Sequence, residues 1–166
     1  MPDAVPDPAA PFVLDTSCWI EWFAERYRPT VFASLWDHVP HLLTDGRIVL
    51  AHAAYMESTK RDNDLKRWMY AHHERVHPNN QSIEAGHASI QAHPMGVALV
   101  TKGAAGVRSD GDSRIIATAM FLRGTVVSKE EPSTSPTRPK IPNVCHHFRV
   151  PCIKLMDMFE LLQLRY

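Results

Sequence analysis

Three apolar residues, Phe12, Val13 and Leu14, end at Asp15, and the period of the chain then changes. Trp19, Ile20 and Phe23 recur at helical spacing behind Thr16 and Ser17, either of which can cap a helix N-terminus. A buried strand therefore runs into a helix that Pro29 stops. The stretch from Pro29 to Gly46 repeats the helical pattern, with Val31, Leu35, Val39 and Leu42 near one stripe, an irregularity at Pro40 and a turn at Asp45-Gly46. "RIVLA" is a short β-like run, "HAAYMESTKR" a helix closing on two cations, and "DNDLKRWMYAHHERV" a further helix.

Between Pro78 and Gly111 the pattern weakens. "SIEAGHASIQAH" has helical character, whereas "GVALVTKGAAGVRSDG" reads as loop, short strand, or both. Periodicity returns in "DSRIIATAMFLRG", a helix closed by Gly124, and in the β-rich "TVVS". "EEPSTSPTRPKIP" is a polar loop; "NVCHHF" predicts a short helix, "PCIKL" a strand and "MDMFELLQLRY" an amphipathic helix. Strands alternating with helices predict an α/β fold of three layers, a central parallel sheet with helices on both faces. The proline-rich residues 1–11 read as a disordered tail, and residues 12–166 as one domain.

Eighteen basic residues balance eighteen acidic ones, so net charge neither marks the chain as a nucleic-acid binder nor excludes it from that class. Cys18, Cys145 and Cys152 lack CxxC spacing, and no apolar stretch resembles a signal peptide or a membrane span, which predicts a reduced cytoplasmic setting. The cluster Cys145-His146-His147 with Cys152 has no second ligand pair at zinc-site spacing, so these thiols read as small buried apolar groups. No glycine-rich phosphate loop follows a strand, which disfavours a nucleotide-cofactor enzyme. The ten histidines lack paired ligand spacing and receive no catalytic role; Trp19, Trp22, Trp36 and Trp68 read as core or subunit contacts rather than base-stacking platforms.

Four acidic residues stand at comparable places. Asp15 ends a strand, Glu57 lies on the helix after "RIVLA", Asp112 opens "DSRIIATA", and Glu130 follows "TVVS". Singly, each has a plainer role as a cap or a solvated charge. Their ordered set, "LDTS", a downstream helical Glu, "D-x-x-I-I-A-x-A" and "VVSKE", resembles the PIN domain ribonucleases. With "SLWDHV" and the segment "KIPNVCHHFRVPCIKLMDMFELL", the chain is most similar to a prokaryotic PIN-like subfamily labelled a domain of unknown function, related to VapC-like toxins. Ser17 replaces the Asn usual after "DT", Ser128 replaces the Thr of the last motif, and Glu130 or Glu131 replaces its Asp.

The resemblance implies a Mg²⁺- or Mn²⁺-dependent endoribonuclease acting on RNA as the toxin of a toxin–antitoxin pair, with a homodimer and an antitoxin protein as expected partners and no membrane association. Asp15, Asp112, Glu130 and Glu57 would hold the metal or orient water, while Thr16, Ser17 and Ser128 would steady Asp15. Crowded carboxylates must share a cation or take up a proton, which agrees with that chemistry. Lys60, Arg61, Lys66 and Arg67 would guide RNA phosphates or simply form a solvated helix face. A second reading is a PIN-like binding module that acts through a protein partner without cutting; a third is a nuclease acting on DNA.

Overall fold

The computed structural model describes residues 4–60, 62–100, 110–135 and 137–164. Its sheet is built from β1 (Phe12–Leu14), β2 (Ile48–Ala51), β3 (Val76–His77), β4 (Thr125–Val127) and β5 (Cys152–Ile153) in the order β3-β2-β1-β4-β5. Every neighbouring pair is parallel, with Val13 opposite Val49 on one side and Val126 on the other. Parallel neighbours require crossovers, and the helices that supply them cover the sheet faces. This is the three-layer α/β/α arrangement expected from the alternation of periods. Phe12, Val13 and Leu14 have no exposed surface, which explains why β1 is an unbroken apolar run rather than an alternating one.

Helix α1 (Thr16–Ile20) starts directly from β1 and widens into a π-helical turn over Glu21–Arg26. Helix α2 (Ala33–Thr44) carries Pro40 inside it, and α3 (His52–Ser58) follows β2 without a loop. Trp19 and Trp22, both without exposed surface, lie with ring centroids 5.9 Å apart; Trp22 packs on Trp36 at 5.1 Å, and Trp36 on the half-buried Trp68 at 5.3 Å. The indoles thus form a connected core under α1, consistent with core packing and leaving Trp19 and Trp22 no face for a nucleobase. Helix α4 (Asp64–Ala71) is capped by the Asn63 side chain, which accepts from Lys66 N at 2.9 Å. Asn80 caps α5 (Gln81–Gln91) in the same way through Ile83 N.

Two expectations change here. Val76, read as the last residue of a helix, forms β3 with His77, and the two pair with Leu50 and Ala51; a two-residue strand is too short to show a period of its own. The residues from Gly96 to Val100, read as loop or strand, belong to α6 (Pro94–Val100). Gly96 sits there because a Cβ would come within 1.9 Å of the Ile90 carbonyl oxygen, so its role is close approach and not flexibility. Residues 101–109 of the weak segment lie outside the described residues.

Helix α7 (Gly111–Leu122) feeds β4, α8 (Ile141–Phe148) precedes β5, and α9 (Leu155–Leu161) follows it. Gly124 was expected to supply the left-handed residue that ends α7, but Arg123 takes that conformation, at φ 51°. Gly124 is required for another reason: Thr125 N donates to Pro11 O at 2.9 Å, and a Cβ on Gly124 would stand 2.4 Å from that oxygen. In residues 4–11, Asp7 organises a turn through Ala9 N and Ala10 N, and Arg47 donates to the Pro8 carbonyl at 3.0 Å. Among the described residues no helix is long and apolar enough to cross a membrane.

The approach of Pro11 to Gly124 is testable. Gly124→Ala should destabilise the fold by about 2–4 kcal/mol, the range of a backbone clash in a packed region, read as a lower urea midpoint at unchanged slope. A change under about 0.5 kcal/mol would show that this contact does not constrain the start of β4.

Candidate active site

Asp15 occupies the tip of the central strand. Its backbone N–H donates to Val127 O at 3.0 Å, continuing the β1–β4 ladder by one bond, and its carbonyl accepts from Cys18 N and Trp19 N as α1 begins. The residue is therefore fixed by a sheet on one side and a helix on the other, with 5% of its surface exposed. The Ser17 hydroxyl donates to its carboxylate. Next to it, Thr16 Oγ1 donates to Glu57 Oε2 at 2.9 Å, joining α1 to α3 across 41 positions of sequence.

Glu130 approaches from β4. Its backbone N–H donates to the buried Ser128 hydroxyl at 3.2 Å, and its Oε2 accepts from Ile141 N at 2.9 Å, the first backbone donor of α8. A helix N-terminus favours a carboxylate, so Glu130 is held by the α8 dipole as well as by the hydrogen bond. Glu131 diverges: Lys154 Nζ lies 2.8 Å from its carboxylate and also donates to the Glu130 carbonyl at 2.6 Å. Of the two glutamates, Glu130 is the one that acts on Asp15.

That influence is electrostatic. Burial, reinforced by the charges of Glu130 and Glu57 and partly offset by the Ser17 hydrogen bond, pushes the Asp15 carboxyl up to about 6 from its ordinary 3.8. The neighbouring thiol of Cys18 is also pushed up, by burial first and then by Asp15 and Glu21.

Asp112 lies half-buried in the first turn of α7, and α3 and α7 pack against each other. The four predicted acids do not close into a ready-made cluster: among the described residues no three Asp, Glu, His or Cys side chains are grouped so as to hold an ion. Magnesium is commonly held by one or two carboxylates, with water and substrate phosphate completing its shell.

Glu57 and Lys60 line two adjoining depressions. One, of about 300 Å³, is walled by Thr16, Ile20, Ser58 and Asn63; the other, of about 270 Å³, continues to Asn79, Glu84, Asp110 and Arg114. Of the predicted basic group, Lys60 is thus placed beside the acids. Lys66 lies 3.8 Å from Asp62 and over the Tyr70 ring, Arg67 pairs with Asp64, and Arg61 lies outside the described residues. The second depression also contains a network that sequence reasoning left out. Arg114 Nε donates to Asp110 at 2.8 Å, its guanidinium also pairs with Glu84, and His87 joins Asp110 at 3.6 Å and the buried Ser113 hydroxyl at 3.0 Å. Burial works to raise the Asp110 carboxyl, but the Arg114 hydrogen bond and charge outweigh it and hold the carboxyl below the usual range. The i,i+4 spacing of Asp110 and Arg114 was the available signal.

A parallel α/β domain with a buried acid at the tip of its central strand is the class that fold and site define. The chain belongs to the family described as a domain of unknown function, DUF4411, which it matches over residues 12–166. No curated protein and no solved structure matches it.

The raised carboxyl gives a pH prediction. The folded state binds the Asp15 proton more tightly than the unfolded chain, so ionised Asp15 costs stability above about pH 6, and the cost fades between 6 and 3.8. Asp15→Asn should therefore raise stability near neutral pH by about 1–3 kcal/mol, with the gain shrinking as the pH falls below about 6 and vanishing below about pH 3, where the carboxyl is protonated in both the folded and the unfolded chain. Urea unfolding of the two proteins across that range reads the difference directly; a variant less stable at neutral pH would contradict it.

Proposed function

We propose that this protein is a metal-dependent endoribonuclease of PIN type, cutting RNA phosphodiester bonds at the Asp15 tip. The observation that carries the reading is the buried Asp15 carboxylate, placed at the end of the central parallel strand between the charges of Glu57 and Glu130. In open parallel sheets the carboxyl ends of the strands are where ligands bind. The order of acids along the chain, from "LDTS" to "VVSKE", supports the same assignment.

In this reading Asp15 and Glu130 would hold Mg²⁺ or Mn²⁺, with Asp112 and Glu57 contributing directly or through water. A bound divalent cation would supply charge compensation at the scissile phosphate and acidity to the attacking water. The chain's own groups do the rest. Ser17 donates to Asp15 and keeps its oxygens oriented; Thr16 does the same for Glu57, which would orient the nucleophilic water and take its proton. Ser128 fixes the backbone at Glu130, and Lys60, on the rim of both depressions, is the basic residue best placed to meet a substrate phosphate. The toxin role, the antitoxin partner, the homodimer and the cytoplasmic setting rest on the family resemblance and form part of this proposal.

One observation favours a second reading. The lack of a grouped three-ligand set among the described residues suits a PIN-like module that binds a protein partner and cuts nothing. A single experiment separates the two. With Mg²⁺ or Mn²⁺, wild-type protein should cleave single-stranded RNA. Thr16→Val should lose about 10–100-fold in rate, as removal of an orienting partner does, and Asp15→Asn should lose more. Intact RNA in every sample, with no Asp15-dependent Mn²⁺ uptake by calorimetry, would leave the binding module standing; cleavage of DNA alone would select a deoxyribonuclease.

A further inference from the structure

Ser58 ends α3 and Thr59 follows it, and their hydroxyls behave differently. Thr59 Oγ1 donates back to the Tyr55 carbonyl at 2.8 Å, the bond that a hydroxyl at a helix end ordinarily makes. Ser58 is 6% exposed, and its hydroxyl is buried with no hydrogen-bond partner. An unpaired buried hydroxyl is destabilising, so it marks a place where the chain itself supplies no acceptor. Ser58 lines the depression of about 300 Å³ that Thr16 and Glu57 also line, together with Lys60 and Asn63. Helix α4 starts at this depression. Asn63 Oδ1 is engaged by Lys66 N, which leaves the two amide hydrogens of that side chain to donate elsewhere, and the N–H groups of Asp64 and Leu65 open the helix with no carbonyl upstream to bind. Lys60 is exposed and forms no ion pair with a described residue. The acids around these donors are engaged: Glu57 by Thr16 Oγ1 at 2.9 Å, Asp62 by Lys66 at 3.8 Å, and Asp64 by Arg67.

We propose that this depression is a phosphate subsite, which holds a backbone phosphodiester of single-stranded RNA flanking the one cut at the Asp15 tip. A phosphodiester oxygen only accepts hydrogen bonds, and the groups gathered here only lack acceptors: a serine hydroxyl, an asparagine amide, a lysine ammonium and the start of a helix, whose partial positive charge favours an anion. The Ser58 hydroxyl swings about a single side-chain torsion, so a phosphate oxygen entering the depression supplies the acceptor it lacks. Ile20 and Leu65 add an apolar wall against which the attached ribose can lie. Thr16 and Glu57 connect this subsite to the acidic tip, since Thr16 directly follows Asp15. The inference rests on the nuclease reading for the identity of the polymer; its donors are separate from the acids of the tip.

The test is binding of a short fluorescent single-stranded RNA to the full chain in EDTA, read by anisotropy over a range of salt, with urea unfolding of each variant beside it. Ser58→Ala should weaken binding about 10-fold, as loss of one hydrogen bond to a charged group does, while its urea midpoint stays level or rises because an unpaired buried hydroxyl is gone. Asn63→Asp keeps the α4 cap, since Asp caps as well as Asn, but sets a negative charge against the phosphate, so it should keep its stability and weaken binding at least about 10-fold. Lys60→Met should lower the slope of log affinity against log salt by about 0.7, the share of one phosphate contact on a single strand. Should Asn63→Asp fail to fold, the other two variants decide. Absence of RNA binding by wild type, wild-type affinity in Ser58→Ala or in folded Asn63→Asp, or losses seen with DNA of the same sequence and not with RNA would overturn the proposal. RNA bound in this way yet left intact with Mn²⁺ would remove the nuclease reading and keep the subsite, whereas cleavage by a wild type whose variants bind RNA equally well would do the reverse.

Discussion

The organising constraint is the complete burial of β1. A strand with helices over both faces and parallel partners on both edges has every backbone group committed, so its end is among the most rigid points of the molecule. Asp15 is mounted there, one ladder bond beyond Leu14, and α1 begins from its carbonyl. The position leaves the carboxylate little water and places two further acids near it. Stability and charge are thus opposed at one residue.

Much of this was legible in the sequence, for identifiable reasons. The strands β1, β2 and β4 are short, mostly apolar runs rich in Val, Ile, Leu and Phe, and their burial on both faces is what such runs encode. The edge strand β3 was hidden because Val76 and His77 are only half-buried and follow a helical pattern with no break. Helix α6 was hidden because a Gly beside Val residues weakens helical propensity, and only the contact with Ile90 shows why the glycine is there. At the site, Asp15 was visible as an acid closing an apolar run. The bond between Thr16 and Glu57, and the one from Ile141 to Glu130, were not, since each joins residues whose proximity depends on how α3 or the loop before α8 folds back.

Several charges outside the acidic tip are matched in place. Arg114 is shared between Asp110 and Glu84, Lys154 between Glu131 and two carbonyls, and Arg67 is paired with Asp64. Lys60 stands out by position, on the rim that the two depressions near Glu57 share.

Both margins of the sheet end in strands of two residues, β3 and β5. So short a border offers a neighbouring chain almost no row of open amides and carbonyls to add to, which blunts the tendency of an exposed sheet to recruit further strands. The parallel core is thereby kept to itself, and assembly with other molecules is left to side chains and helix surfaces.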